Sequence, residues 1–205
     1  MAKIKFSKGE LKKQRDSLKQ YTRYLPTLQL KKQQIQMEIL RQHVMLQDAR
    51  EKIAVATNDA VRWAGLLSEK GVFDNRWIRP KNLSKSSKNI AGIELPVFEK
   101  CVFAAAEYDL FMTPLWVDSA IDDLREIASL MEEVKVLEEG VAILRRELRV
   151  TTQRVNLFEK VKIPEAEEAI RRIKIYIGDQ MANAVGRSKA AKRKIETAFA
   201  IEAAK

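Results

Sequence analysis

The chain has little of what most enzymes are built from. Its 205 residues include one cysteine, Cys101, one histidine, His43, seven glycines and five prolines. A single cysteine excludes an internal disulfide and suits a reducing compartment. With one histidine and one cysteine there is no cluster at metal-ligand spacing, and neither a phosphate-cradling glycine loop nor a nucleophile elbow occurs. No apolar run reaches the roughly 18 to 20 residues of a membrane span, and no signal peptide precedes the chain, so a soluble protein is expected.

The remaining candidates for chemistry read as structure. His43 lies off the apolar seam described below and is expected on a helix surface. Cys101, within an apolar run, is expected to act as a small hydrophobe rather than a nucleophile. The carboxylate groups Glu132/Glu133, Glu138/Glu139 and Glu165/Glu167/Glu168 fit solvated helix faces better than acid-base pairs. The expectation is therefore no catalytic residue, no cofactor and no metal.

Charge and helix-forming residues are plentiful. Hydrophobic residues make up 46% of the chain, charged residues 32%, and the net charge is +10. Met1 to Arg50 carries about +8, Arg187 to Lys205 about +4 and Glu107 to Glu147 about −7, so basic termini flank an acidic middle. Few helix breakers combined with Lys, Glu, Leu, Ala, Ile and Arg is the composition of long helices or a coiled coil.

Ser7 and Glu10 have capping-box spacing and open a first helix expected to run from about Lys8 to about Lys70, where Gly71 stops it. Its seam recurs every three or four residues: Leu11, Leu18, Tyr21, Leu25, Leu28, Ile35, Ile39, Leu46, Ala49, Ile53, Ala56, Ala60, Trp63 and Leu67. Pro26 interrupts it, and a kinked continuous helix is favoured over a break because the seam keeps register from Leu25 to Leu28. Asp118 or Ser119 caps a second helix reaching about Phe199, roughly 120 Å at 1.5 Å per residue. Its seam runs Leu124, Ile127, Met131, Val134, Leu137, Val141, Leu144, Leu148, Thr151, Val155 and Phe158, resuming at Ile170, Ile173, Ile177 and Met181. Between the helices, turn-forming residues such as Ser84-Lys85-Ser86-Ser87 precede two strand-like runs, Asn89 to Val97 and Glu99 to Tyr108, read as a β-hairpin.

The expected fold is mainly α: a long antiparallel two-helix coiled coil with a small head containing a β-hairpin. Residues 1–70 are the first helix, 71–116 the head, and 117–205 the second helix with a basic C-terminal tip. In an antiparallel pair folded about the head, facing positions should total roughly 187, which puts Pro26 and Pro164 at one level and brings Arg154 to Asn156 opposite Lys31 to Gln33. It also leaves Arg187 to Lys205 projecting past the amino terminus, with Ile195, Phe199 and Ile201 uncovered. By composition and periodicity alone, a coiled-coil scaffold or a nucleic-acid-associated adaptor fits as well.

Arg154-Val155-Asn156-Leu157-Phe158-Glu159 through Val161-Lys162-Ile163-Pro164, followed by Ile170, Ile173, Ile175 and Ile177, resembles the motif of the D subunit of V-type ATPases. Leu28-Gln29-Leu30-Lys31-Lys32 is similar to that family's Leu-Leu-Lys-x-Lys segment. The resemblance implies a non-catalytic, cytoplasmic rotor shaft, peripheral to a membrane-bound complex. Its implied partners are catalytic and non-catalytic ring subunits, a small companion stalk subunit and a socket subunit on the membrane ring, with no nucleic acid. It makes Lys3, Lys5, Lys8, Arg187, Lys189, Lys192, Arg193 and Lys194 candidates for a ring-facing tip. Leu28, Leu30, Lys31, Lys32, Arg154, Val155, Asn156 and Pro164 are the motif positions.

Overall fold

The computed structural model describes residues 5–69, 72–109 and 111–203, with side chains up to Thr197. In order, the elements are α1 (Lys8–Val61), two short 3₁₀ turns (Ala64–Ser68 and Asn75–Ile78), β1 (Pro80–Ile90), β2 (Ile93–Phe103), α2 (Trp116–Leu157), a π turn (Phe158–Lys162) and α3 (Ile163–Ala203). The mainly helical fold with a hairpin between long helices is the one expected. The chain forms two compact units, residues 30–152 and residues 1–29 with 153–205.

In the unit of residues 30–152, α1 and α2 run antiparallel. Arg50 donates to Glu138 at 2.7 Å and Arg145 meets His43 at 3.1 Å. Seven residues forward on α1 thus match seven back on α2, the heptad of a coiled-coil seam. These pairs agree with the expected total near 187. Leu46 and Ala49 bury against Leu137, and Val134 packs beside them. Further along, the Trp63 indole donates to Asp123 at 3.1 Å.

The helix α1 ends at Val61, short of the predicted Lys70, and Trp63 and Gly65 pass into a 3₁₀ turn. Anchoring the Trp63 ring to Asp123 and placing glycine two residues later both oppose further α-helix. The predicted stop at Lys70 and Gly71 lies outside the described residues. α2 starts at Trp116 rather than after a cap at Asp118 or Ser119; Asp118 sits in the first turn, where it still meets the positive end of the dipole.

The hairpin is present, but its strands are displaced from the predicted ones. The turn falls at Ala91-Gly92, with φ of 53° and 76°, and Ile90 pairs with Ile93. Positive φ at both central residues is the geometry of a type I′ loop, and Gly92 N–H is held by the Asn89 side chain at 3.0 Å. Ser84-Lys85-Ser86-Ser87, read as turn chemistry, lies inside a strand in which Lys81, Ser86, Ser87 and Lys88 are exposed, a composition that protects an edge from further pairing.

The hairpin covers one side of the helix pair. Ile93 and Leu95 form a core with Ile35 of α1 and Leu144 of α2, bordered by Ile39, Ile90, Ile143 and Leu148. Lys85 binds Glu139 at 2.9 Å, and Arg125 of α2 donates to the carbonyls of Trp77 at 3.0 Å and Ala104 at 2.7 Å while lying over the Phe103 ring. Val136, off the predicted seam, is buried, whereas Met131 on the seam is exposed.

In the other unit, Glu10 N–H donates to Ser7 Oγ at 3.2 Å, the expected start of α1. α1 continues through Pro26 without a new helix at Thr27, as the kink reading requires. Tyr21 packs on Phe158 at 5.3 Å between ring centroids and Phe6 on Tyr176 at 5.1 Å. Val155, Ala166, Ala169, Ile170 and Ile173 are buried here. This register overturns the shared proline level: Pro26 follows Tyr21 while Pro164 follows Phe158 in the opposite direction, which separates them by about ten residues, or about 15 Å.

The skip in the seam near Pro164 is the π turn. Ile163 N–H reaches the Phe158 carbonyl five residues back. Pro164 has no N–H to give and its ring crowds the preceding turn, so one widened turn accommodates it without ending the helix. Beyond Ile177 every described side chain is exposed, Met181 included.

Two substitutions test this packing. Ile35→Ala or Leu144→Ala, both 0% exposed, should cost about 2–5 kcal/mol in urea unfolding, against less than about 0.5 kcal/mol for exposed Val44→Ala. Ala91→Asn should raise stability by about 0.5–1 kcal/mol, because Asn tolerates the left-handed conformation that alanine occupies under strain; an unchanged or lowered midpoint would refute the type I′ assignment.

Candidate functional site

The candidate residues fall on surfaces rather than in a pocket. Lys5 and Lys8 are exposed at the start of α1, and Arg187, Lys189, Lys192, Arg193 and Lys194 are exposed on α3. Lys3 lies outside the described residues. Phe6 rests on Tyr176, and Arg187 is eleven residues beyond that contact, about 16 Å along the helix. The two groups of cations are therefore separate patches on one helix pair, not one cluster. Lys192 is 3.7 Å from Glu196, an exposed ion pair of little energetic weight.

The motif positions divide by role. Val155 is buried, while Arg154, Asn156 and Pro164 are not fully covered. The Tyr21 contact with Phe158 sets Arg154 to Asn156 beside Arg23 to Leu25 on α1. Leu28 is half-buried in the same unit. In the other unit Lys31 and Lys32 are half-buried and Leu30 is exposed. The Lys31 ammonium stands beside the hairpin turn, 3.9 Å from the place a Cβ on Gly92 would occupy.

Sequence reasoning followed one seam on α1 and missed a second. Leu30, Met37, Leu40 and Val44 are all exposed and step by seven, three and four residues, opposite the face of Ile35, Leu46 and Ala49. Met37, Ile39, Leu40 and Leu148 line an open groove beside this stripe. The signal was available as a second heptad in the sequence, but only burial of the first seam shows that the second is left uncovered.

The titratable groups that depart from ordinary values are in the hairpin region. Burial pushes the Cys101 thiol up, with Glu132 adding to the effect and a hydrogen bond from Ser129 opposing it. A raised thiol pKa leaves little thiolate at neutral pH, in keeping with a packing role. Tyr108 is raised by its hydrogen bond to Asp118 and by burial. Asp74 is lowered by hydrogen bonds from the Arg76 guanidinium and the Arg76 N–H, at 2.8 Å each. Among the described residues no His, Cys, Asp and Glu gather as a metal site, and no helix is long and apolar enough to cross a membrane. The carboxylates read as solvated faces include two that tie elements together, Glu138 to Arg50 and Glu139 to Lys85.

Antiparallel helix pairing with a β-hairpin inserted between the long helices defines a helical-hairpin protein, and the described candidate cations lie exposed on its helices. The model of the family described as the D subunit of ATP synthase matches residues 10–193, and the chain belongs to that family. It is 45% identical over 199 residues to the V-type ATP synthase D subunit of Borreliella burgdorferi, covering 94% of this chain and 95% of the relative. The D subunit of the V-type ATP synthase of Chlamydia trachomatis is 33% identical over 202 residues, covering 95% and 97%. That of Chlamydia pneumoniae is 31% identical over 202 residues, covering 94% and 93%.

Because Asp74 is depressed, its bond to Arg76 contributes above the ordinary carboxylate pKa and is lost as pH falls through the lower folded value. An NMR titration should place the Asp74 midpoint below that of an unperturbed aspartate, and Arg76→Ala should move it upward; an unmoved midpoint would assign the shift to some other group.

Proposed function

We propose that the chain is a non-catalytic central-stalk, or rotor, subunit of a V-type ATPase, transmitting torque between ATP turnover in a catalytic ring and ion translocation in a membrane ring. Its place is cytoplasmic and peripheral to the membrane-bound complex. Residues 1–70 and 117–205 serve as the shaft helices and residues 71–116 as the head. The observation that carries this reading is the matched seven-residue step of the His43–Arg145 and Arg50–Glu138 contacts, in a chain whose relatives are D subunits of V-type ATP synthases. Two helices held in register by interlocking side chains and by the hairpin packed on both resist sliding, so a twist applied at one level passes to the next.

The exposed cations Arg187, Lys189, Lys192, Arg193 and Lys194, with Lys3, Lys5 and Lys8, face catalytic and non-catalytic ring subunits. Solvated ion pairs exchange partners readily, which suits a surface that must turn against its neighbour. The exposed stripe Leu30, Met37, Leu40 and Val44 suits a helix of the small companion stalk subunit, and the head engages a socket subunit of the membrane ring. The buried motif position Val155 supports the helix pair, and Pro164 sets its π turn.

Reconstitution with the catalytic ring tests the reading, with ATP-driven rotation as the readout. Replacing Arg187, Lys189, Lys192, Arg193 and Lys194 together by glutamine should lower assembly or coupled rotation about tenfold, given up to about 1 kcal/mol for each exposed charge contact. Unchanged rotation would remove the tip from the interface. Rotation that does not require the chain, with salt-sensitive retention on nucleic acid instead, would replace the rotor by an adaptor.

A further inference from the structure

Glu38 on α1 is the one buried charged residue among those described, with its side chain 10% exposed. Its pairing is weak for that depth. Gln42 Nε2 donates to Oε1 at 3.1 Å, and among the described residues the cation nearest Oε2 is the Arg41 guanidinium, 3.9 Å away and itself 70% exposed. That separation is beyond hydrogen-bond reach. The shallower carboxylates Glu138 and Glu139, 49% and 53% exposed, hold Arg50 and Lys85 at 2.7 and 2.9 Å. Burial penalises a carboxylate unless donors and cations replace its water, and only one neutral amide and a distant guanidinium do so here. Within this chain Glu38 is a charge buried without its counterpart.

The residue lines an open groove of about 740 Å³ between α1 and the hairpin turn. Leu30 and Met37 form its apolar wall and belong to the exposed stripe of α1. Gln33, Gln34 and Asn89 add amide groups, and the backbone at Ile90-Ala91 closes the far side. That far side is fixed, because Ala91 and Gly92 hold the positive φ of the tight turn and Asn89 Oδ1 accepts the Gly92 N–H at 3.0 Å. A guanidinium matches these surroundings better than an ammonium: its planar fork meets a carboxylate while its remaining N–H groups donate to amide and backbone carbonyls. It would displace only Arg41, an exposed i,i+3 contact of little weight.

We infer that Glu38 is a specificity-determining residue, receiving in the groove between α1 and the hairpin turn an arginine of the partner subunit that covers the exposed stripe; this deepens the stalk reading and rests on it. Leu30 and Met37 supply the apolar contact beside the arginine, and the carboxylate on the groove floor selects its charge. The wall formed by the hairpin turn is already in place, so little ordering opposes association. A partner with an apolar or acidic side chain at that position would leave the carboxylate sealed from water and unpaired, which discriminates against it.

The test uses the full chain with Glu38→Gln, which keeps the shape of the side chain and removes its charge. A residue held for stability and one held for a partner respond in opposite directions. The thermal midpoint of Glu38→Gln should equal or exceed that of the unsubstituted chain, because an underpaired buried charge is gone. Assembly with a soluble ATPase sector lacking this chain should nevertheless need at least tenfold more protein. Leu30→Ser with Met37→Ser should need a few-fold more, and Glu51→Gln, an exposed carboxylate on the same helix, should change nothing. A photo-crosslinking residue at Gln34 then identifies what covers the groove, and the captured peptide should carry an arginine within about four residues, one helical turn, of the crosslink. Equal assembly by Glu38→Gln would overturn the inference, and so would a lowered midpoint, which would assign Glu38 to folding. A captured peptide without arginine, or one from a second copy of this chain, would overturn it as well. Failure of the unsubstituted chain to enter the soluble sector would overturn the stalk reading itself, and is scored before any variant is compared.

Discussion

The unit of residues 30–152 depends on a cluster in which three elements meet: Ile35 from α1, Leu144 from α2, and Ile93 and Leu95 from the hairpin. Two helices side by side bury only one stripe each, which leaves most of their surface in water and their axial register weakly held. The hairpin removes both weaknesses. Its apolar edge fills the space along the helix pair, while Lys85 on Glu139 and Arg125 on the Trp77 and Ala104 carbonyls fix where along α2 it lies. A hairpin marginal by itself and a helix pair free to slip become one cooperative body.

The unit formed by the two ends of the chain solves a different problem. There Pro164 would interrupt a helix that has to continue, and the widened turn at Phe158–Lys162 absorbs it. Phe158 then meets Tyr21, and Tyr176 meets Phe6. Aromatic pairs carry contact where the regular spacing of small aliphatic residues is disturbed. Past Ile177 the helix has only exposed side chains among those described, and its cations are open to whatever surrounds it.

Much of this was legible in the residues. Heptad spacing marked both long helices and the inward positions Ile35, Leu46, Ala49, Leu137, Val141, Leu144 and Ile173, since a seam that must face one partner repeats with the helix. Ser7 and Glu10 marked the start of α1. The hairpin was expected, but its strands were displaced because Lys81 to Lys88 has a loop's composition and becomes a strand only by pairing with Ile93 to Phe103. The candidate surfaces were half visible: the basic tip is a run of charges plain in the sequence, whereas the bare stripe Leu30, Met37, Leu40 and Val44 and the exposed Phe111 have the composition of core.

By itself the sequence determined the secondary structure of the long helices, their antiparallel return and the family, because periodicity, capping and a motif around Asn156 are local properties of the chain. Only the tertiary structure decided which apolar residues are left over. Burial is a property of what lies opposite, so the equivalence of Leu40 and Leu46, or of Phe111 and Val117, is broken only when the hairpin and the second helix take their places. The same dependence set the level of each proline, since the pairing of Tyr21 with Phe158 follows from packing around a widened turn that no count along the chain supplies.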